Sequence, residues 1–201
     1  MVGRQGGCGA EPASAPPARV AYDERFRSLV LFLMELTMVD ASILPLTRTL
    51  ANLAAVLAKG QADAEARGID PAVLLQSRLY PDMFPLVRQV QIASDIARRG
   101  VARLAGSEAP AMEDTETSFP ELIARLEQAI AYIRSVPAEQ LIGTEEREVT
   151  VPIGRGQTIT MQGWPFLSSF VLPNVYFHVT TAYNILRHNG VGLGKRDFLG
   201  D

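Results

Sequence analysis

Apolar residues in this chain recur at intervals of three and four along four separate segments. That spacing becomes one continuous stripe only on an α-helix. Ile43, Leu46, Leu50, Leu53 and Leu57 form the first stripe. Met83, Val87, Val90, Ser94, Ala97, Val101 and Leu104 form the second, and Phe119, Ile123, Leu126, Ile130 and Ile133 the third. Val171, Val175, His178, Ala182 and Ile185 form the fourth. Four such stripes must be buried against each other, so the fold expected is mainly all-α, a four-helix bundle.

Local signals set the expected ends. Asp40 or Ser42 can cap the first helix, with Pro45 in its first turn and Gly68 as a stop. Asp70-Pro71 reads as the cap and first residue of a short segment through Leu75. The second long helix is expected from near Asp82, with Pro85 in its first turn, to Gly106. An acidic loop, residues 107–117, leads to the third, which opens with the capping box Ser118-Phe119-Pro120-Glu121 and ends at Pro137. The fourth runs from Gly163-Trp164-Pro165 to about His188, with a kink or break at Pro173. Before it the period changes to two. Val149, Val151 and Ile153 alternate with polar residues, as do Ile159 and Met161, and Gly154-Arg155-Gly156 joins them as a hairpin. A lone hairpin is marginal in water, so it must lie against the helices.

Residues 1–37 read differently from the bundle domain, 38–201. Met1 to Arg19 is rich in Gly, Ala and Pro with nothing to bury, so disorder is expected there, followed by a short helix over Tyr22 to Leu36. Arg25 and Arg27 before an apolar stretch faintly suggest a signal peptide, but no small-x-small cleavage site follows. Translation starting at Met34 or Met38 is the reading favoured, with a cytoplasmic location. No stretch approaches the ~18 consecutive apolar residues of a membrane helix. A net charge of −3, from 19 basic and 22 acidic residues, argues against attraction to nucleic acid. The single thiol, Cys8, allows no internal disulfide and no thiolate zinc site.

Few residues can carry chemistry. His178 lies on the fourth stripe, with Asn174 one turn before it and Thr181 three residues after. It reads either as a ligand-contacting imidazole or as a core histidine bonded to an amide or phenol. A polar row, Arg88, Gln91, Asp95 and Arg98, runs along the second helix; facing the fourth, it would bring Gln91 and Asp95 to His178. Its bland alternative is an ion-paired surface. Tyr132, Tyr176 and Tyr183 could add phenols to a pocket, though aromatic residues at helical spacing are more often core. There is no H-E-x-x-H, no phosphate-binding glycine loop and no G-x-S-x-G elbow.

Taken together, Pro81 to Asp95 (PDMFPLVRQVQIASD), the Asp114-Thr115-Glu116 loop and Pro173 to Arg187 (PNVYFHVTTAYNILR) resemble an uncharacterised bacterial family grouped by fold with the DinB/YfiT-like four-helix bundles. The resemblance covers about residues 38–200. It implies the bundle and homodimers, and no assigned activity. Metal-binding members of the wider superfamily use one histidine on the second long helix and an H-x-x-x-H pair on the fourth. Here His178 could match the first of the pair, but Ala182 stands at the second, and the second helix offers Gln89 or Gln91. Amide oxygens are poor donors beside imidazoles, so no metal and no cofactor are expected. The reading is a metal-free bundle binding a small molecule between its second and fourth helices, lined by Gln91, Asp95, Asn174, His178 and Tyr183. Two rivals stand beside it: a degenerate transferase with His178 as general base assisted by Asp95, and a dimeric interaction protein with no pocket. Neither nucleic acid nor a membrane is expected as a partner.

Overall fold

A computed structural model describes residues 36–154 and 156–200. The readings for the N-terminal extension, including its short helix, Cys8 and Met34, lie outside the described residues.

Helix α1, Met38–Ala66, is capped by Thr37. The Thr37 hydroxyl accepts the Asp40 N–H at 3.2 Å, and the Asp40 carboxylate accepts the Thr37 N–H at 3.3 Å. This is a capping box one turn earlier than the Asp40 or Ser42 cap read from sequence. Asp40 is the returning arm of the box, while the Ser42 hydroxyl donates back to the Met38 carbonyl. The earlier start leaves Pro45 inside the helix and not in its first turn. Past the helix end, Gly68 takes a left-handed φ of +65°, which a Cβ would strain.

The short helix α2, Pro71–Gln76, is capped by the Asp70 side chain as expected. Helix α3, Leu86–Leu104, begins four residues later than near Asp82. Pro85 is its cap residue, in extended conformation, and the chain before it forms a turn closed by Met83 N–H to the Tyr80 carbonyl. A residue preceding proline avoids helical backbone angles, which keeps Phe84 out of the helix. Helix α4, Phe119–Ser135, opens with the expected Ser118–Glu121 box.

Strands β1, Glu148–Gly154, and β2, Gln157–Gln162, pair antiparallel, with Val151 opposite Ile159 and an irregularity between Pro152 and Gly154. Val149 and Val151 are buried, whereas Ile159 keeps 40% of its surface. The hairpin thus meets the bundle through one face of β1, and β2 is its outer edge.

The last long helix is three pieces without a break: α5, Gly163–Pro165, a π-helical segment, Phe166–Val171, and α6, Leu172–His188. The break expected at Pro173 takes this π form. The Leu172 N–H bonds the Leu167 carbonyl five residues back, and the Asn174 amide donates to the Phe170 carbonyl at 2.7 Å. The wider turn and the side-chain donor accommodate a proline that brings no N–H. The chain turns at Gly190 and closes with α7, Lys195–Leu199.

Around the bundle α1 packs on α4, α4 on α3, α3 on α6 and α6 on α1, while α7 lies on α1. Leu50, Leu57, Val90, Ala97, Leu126, Ile133, Val175 and Ile185 are all buried in one shared core. α1 is long and apolar enough to cross a membrane by length and composition, a test that core helices also pass. Its buried face packs in the bundle.

Candidate functional site

His178 sits on α6 between Val175 and Ala182, both fully buried, and is itself half-buried. Across the α3–α6 seam its Nδ1 lies 2.7 Å from Oε1 of Gln89, a buried residue of α3. The Gln89 amide is oriented from its other end, where Nε2 donates to the Phe84 carbonyl at 3.1 Å. With the nitrogen turned to Phe84, the oxygen facing His178 can only accept. The proton therefore sits on Nδ1, and the lone pair on Nε2. Among the described residues Nε2 has no protein partner, and it is not sealed from solvent. Burial first, then the positive charge of Arg88, lowers the pKa of the ring. Phe177, 59% exposed, meets the imidazole edge-on with ring centres 5.2 Å apart. The result is a neutral imidazole of fixed tautomer beside an exposed aromatic ring.

The polar row of α3 turns elsewhere. Arg125 of α4, with 1% of its side chain exposed, reaches across to it. Its Nε donates to the Ser94 hydroxyl at 2.8 Å and its Nη1 to the Glu113 carbonyl and to Glu116, each at 2.8 Å. Nη2 pairs with Asp95 at 2.9 Å and Asp114 at 3.0 Å. Burial opposes the charge of Arg125, but Glu116, then Asp95 and Asp114, outweigh it and hold the pKa above its ordinary value. Asp95 also pairs with Arg98 at 3.1 Å and Arg99 at 3.0 Å. Gln91 donates to Glu116 at 2.9 Å and accepts from Arg88 at 3.2 Å. Arg88 bonds Asp114, and Arg98, itself buried, bonds the Pro110 carbonyl. The acidic loop is thus bound down by arginines from two helices.

Of the five residues expected to line one pocket, the structure does not assemble the set. Gln91 and Asp95 belong to the arginine network, and Asn174 serves the π segment. Tyr183 packs edge-on against Phe198 of α7, ring centres 6.1 Å apart. His178 alone remains at the α3–α6 seam, and its partner is Gln89 in place of Gln91. An Asp95-assisted imidazole base is likewise not assembled, since that carboxylate faces three guanidinium groups. Sequence reading passed over Arg125. On the α4 stripe it falls one residue before Leu126, a place where a charge normally points outward, and only the concentration of acids at 113–116 hinted that a cation was needed. Gln89 was named with Gln91 only as what stands where relatives carry the second-helix histidine, and its place beside Val90 of the seam was the further signal that its amide is buried.

The residues do not fit a three-histidine metal centre of the superfamily type. Position 182 is alanine, the Gln89 oxygen is already bonded to the imidazole, and no group of three His, Cys, Asp or Glu suited to a metal occurs among the described residues.

Residues 38–199 match the domain of unknown function DUF1993. A solved structure of a DinB family member protein from Shewanella denitrificans is 37% identical, covers 90% of this chain and 97% of its own, and superposes with a TM-score of 0.75. No curated protein is similar enough to match. The matched span takes in every helix of the bundle and the His178–Gln89 pair at its seam, and on that ground the chain belongs to the DUF1993 family, with a DinB-like fold.

Proposed function

We propose that this protein binds a small molecule without a metal, with His178 Nε2 as the group that recognises it. One observation carries the reading: the bond from Nδ1 to the Gln89 amide leaves Nε2 unprotonated and, among the described residues, without a partner. Such a nitrogen accepts a hydrogen bond, so the ligand offers a hydroxyl or N–H donor beside an apolar part for Phe177. A general-base role would use the same lone pair, and a neighbouring carboxylate would favour the imidazolium it forms. Asp95 is committed elsewhere and Arg88 opposes that charge. Binding therefore has more support than catalysis.

Two measurements test this. Long-range nitrogen–proton NMR correlations on the His178 ring at neutral pH are expected to show the Nδ1–H tautomer, and a protonated Nε2 would end the proposal. In a thermal-shift screen of hydroxylated and amine-bearing metabolites, His178→Ala is expected to stay folded and to lose every stabilisation seen with the unmutated chain. If His178→Ala unfolds while Gln89→Ala retains binding, the imidazole is structural.

A further inference from the structure

A recess lies where β1 covers the C-terminal half of α3, away from Gln89. Neither His178 nor Gln89 lines it; along α3 its nearest lining residue, Asp95, stands about 9 Å from Gln89 and Arg103 about 21 Å, at 1.5 Å per residue. It has two chambers. One, about 680 Å³, is lined by Arg99 and Arg103, by the start of the loop after α3, and by Glu148, Val149 and Thr150. The other, about 250 Å³, is walled mainly by Ile96, Val151, Pro152, Phe166, Phe170 and Val171, with Asp95, held by Arg99, at its edge. Arg99 and Arg103 line both chambers and so mark the boundary between a polar space and an apolar one.

The two arginines differ in what already holds them. Arg99 is paired with Asp95 at 3.0 Å. Arg103 is half-buried, and among the described residues its guanidinium makes no hydrogen bond and no ion pair within 4 Å. Burial and the neighbouring Arg99 charge both weigh against its cation, and Glu108 offsets them only in part. Partly desolvated guanidinium groups are normally paired, and the planar fork suits a carboxylate in two-point contact. The apolar wall is built by the π segment, which places Phe166 and Phe170 side by side with stacked rings 5.8 Å apart. π turns inside α-helices occur often at functional sites.

We propose that this cleft binds an amphipathic monocarboxylate, its carboxylate on Arg103 beside Arg99 and its ring or short alkyl chain against Ile96, Pro152 and Phe170. Glu108 and Glu148, both exposed at the polar mouth, disfavour a dianion such as a phosphate monoester. A single unpaired guanidinium likewise matches a single negative charge.

The test is calorimetric titration of the full chain with 3-phenylpropanoate and octanoate, using 3-phenylpropanamide and acetate as controls. The expected result is binding of at least one of the two acids, with the amide and acetate each at least about tenfold weaker (~1.4 kcal/mol). Arg103→Gln, checked for an unchanged melting curve, is expected to weaken the acid at least about tenfold, and Phe170→Ala to weaken it without affecting acetate. His178→Ala is expected to leave it unchanged, which separates this site from the proposed histidine site. No binding of either acid, equal binding of acid and amide, or full affinity in Arg103→Gln would each overturn the proposal.

Discussion

Burial and the Arg88 guanidinium both hold the His178 imidazole below its ordinary pKa of about 6.5. In the unfolded chain this ring takes up its proton near that value; in the folded chain it does so only at lower pH. Below about pH 6.5 the unfolded state therefore binds more protons, and stability falls as pH falls. The contribution is complete above that value and is lost on the way down to the lowered folded pKa. Urea midpoints taken from about pH 8 to about pH 5 are expected to drop in the unmutated chain, with a smaller drop in His178→Gln. Equal drops would show that the ring titrates as an exposed histidine. Arg125 gives a second prediction at this scale. Arg125→Met leaves Asp95, Asp114 and Glu116 facing each other with 19%, 38% and 11% of their side chains exposed. Because water still reaches them, the loss is expected near the lower end for a broken buried pair, about 3 kcal/mol by urea unfolding.

Among the elements, two glycines hold the last helix in place. A Cβ on Gly163 would stand 2.0 Å from the Thr144 carbonyl oxygen, a backbone atom with nowhere to go. Gly163→Ala is expected to cost about 3 kcal/mol, the upper end for overpacking, read from denaturant midpoints. A Cβ on Gly100 would come within 2.8 Å of a Val171 methyl, so α3 and the π segment approach closely because this residue lacks a side chain. That contact is softer, and Gly100→Ala is expected to cost about 1–2 kcal/mol. At the start of α4, Ser118→Ala removes one arm of the capping box, at an expected cost of about 1 kcal/mol. These elements also show how far local signals reach. The Ser118 box and the Asp70-Pro71 start were readable because cap and helix lie within four residues of each other. The start of α1 and the π form at Pro173 were not. Two candidate caps stood within one turn, and a proline inside a helix can be met by a kink, a break or a widened turn.

For the molecule as a whole, the loop of residues 107–117 is held by long-range bonds to two helices. Arg98 bonds the Pro110 carbonyl, Arg125 the Glu113 carbonyl and two acids of the loop, and Arg88 Asp114. Hydrogen exchange is expected to show the loop amides protected in the unmutated chain, with that protection reduced specifically there in Arg125→Met. Elemental analysis of untagged protein is expected to find no stoichiometric transition metal, on the strength of a donor set with one histidine. A metal retained at one per chain would refute that reading.

What the linear order of residues decided was the architecture. A 3–4 apolar spacing is a property of single helices, each stripe needs a partner, and four stripes with a period-two insert leave little besides a bundle bearing a hairpin. What only the tertiary structure decided was which polar groups meet. Gln89 and Gln91 stand about 200° apart around α3, and because both are buried, on a helix covered on several sides, periodicity alone cannot say which of them faces α6. Nor could sequence show that Asp95 would be drawn to an arginine thirty residues away on α4, or that the Arg103 guanidinium would lie under a strand with no ion pair among the described residues. Those outcomes depend on the balance between charge and desolvation, which exists only once the helices are packed.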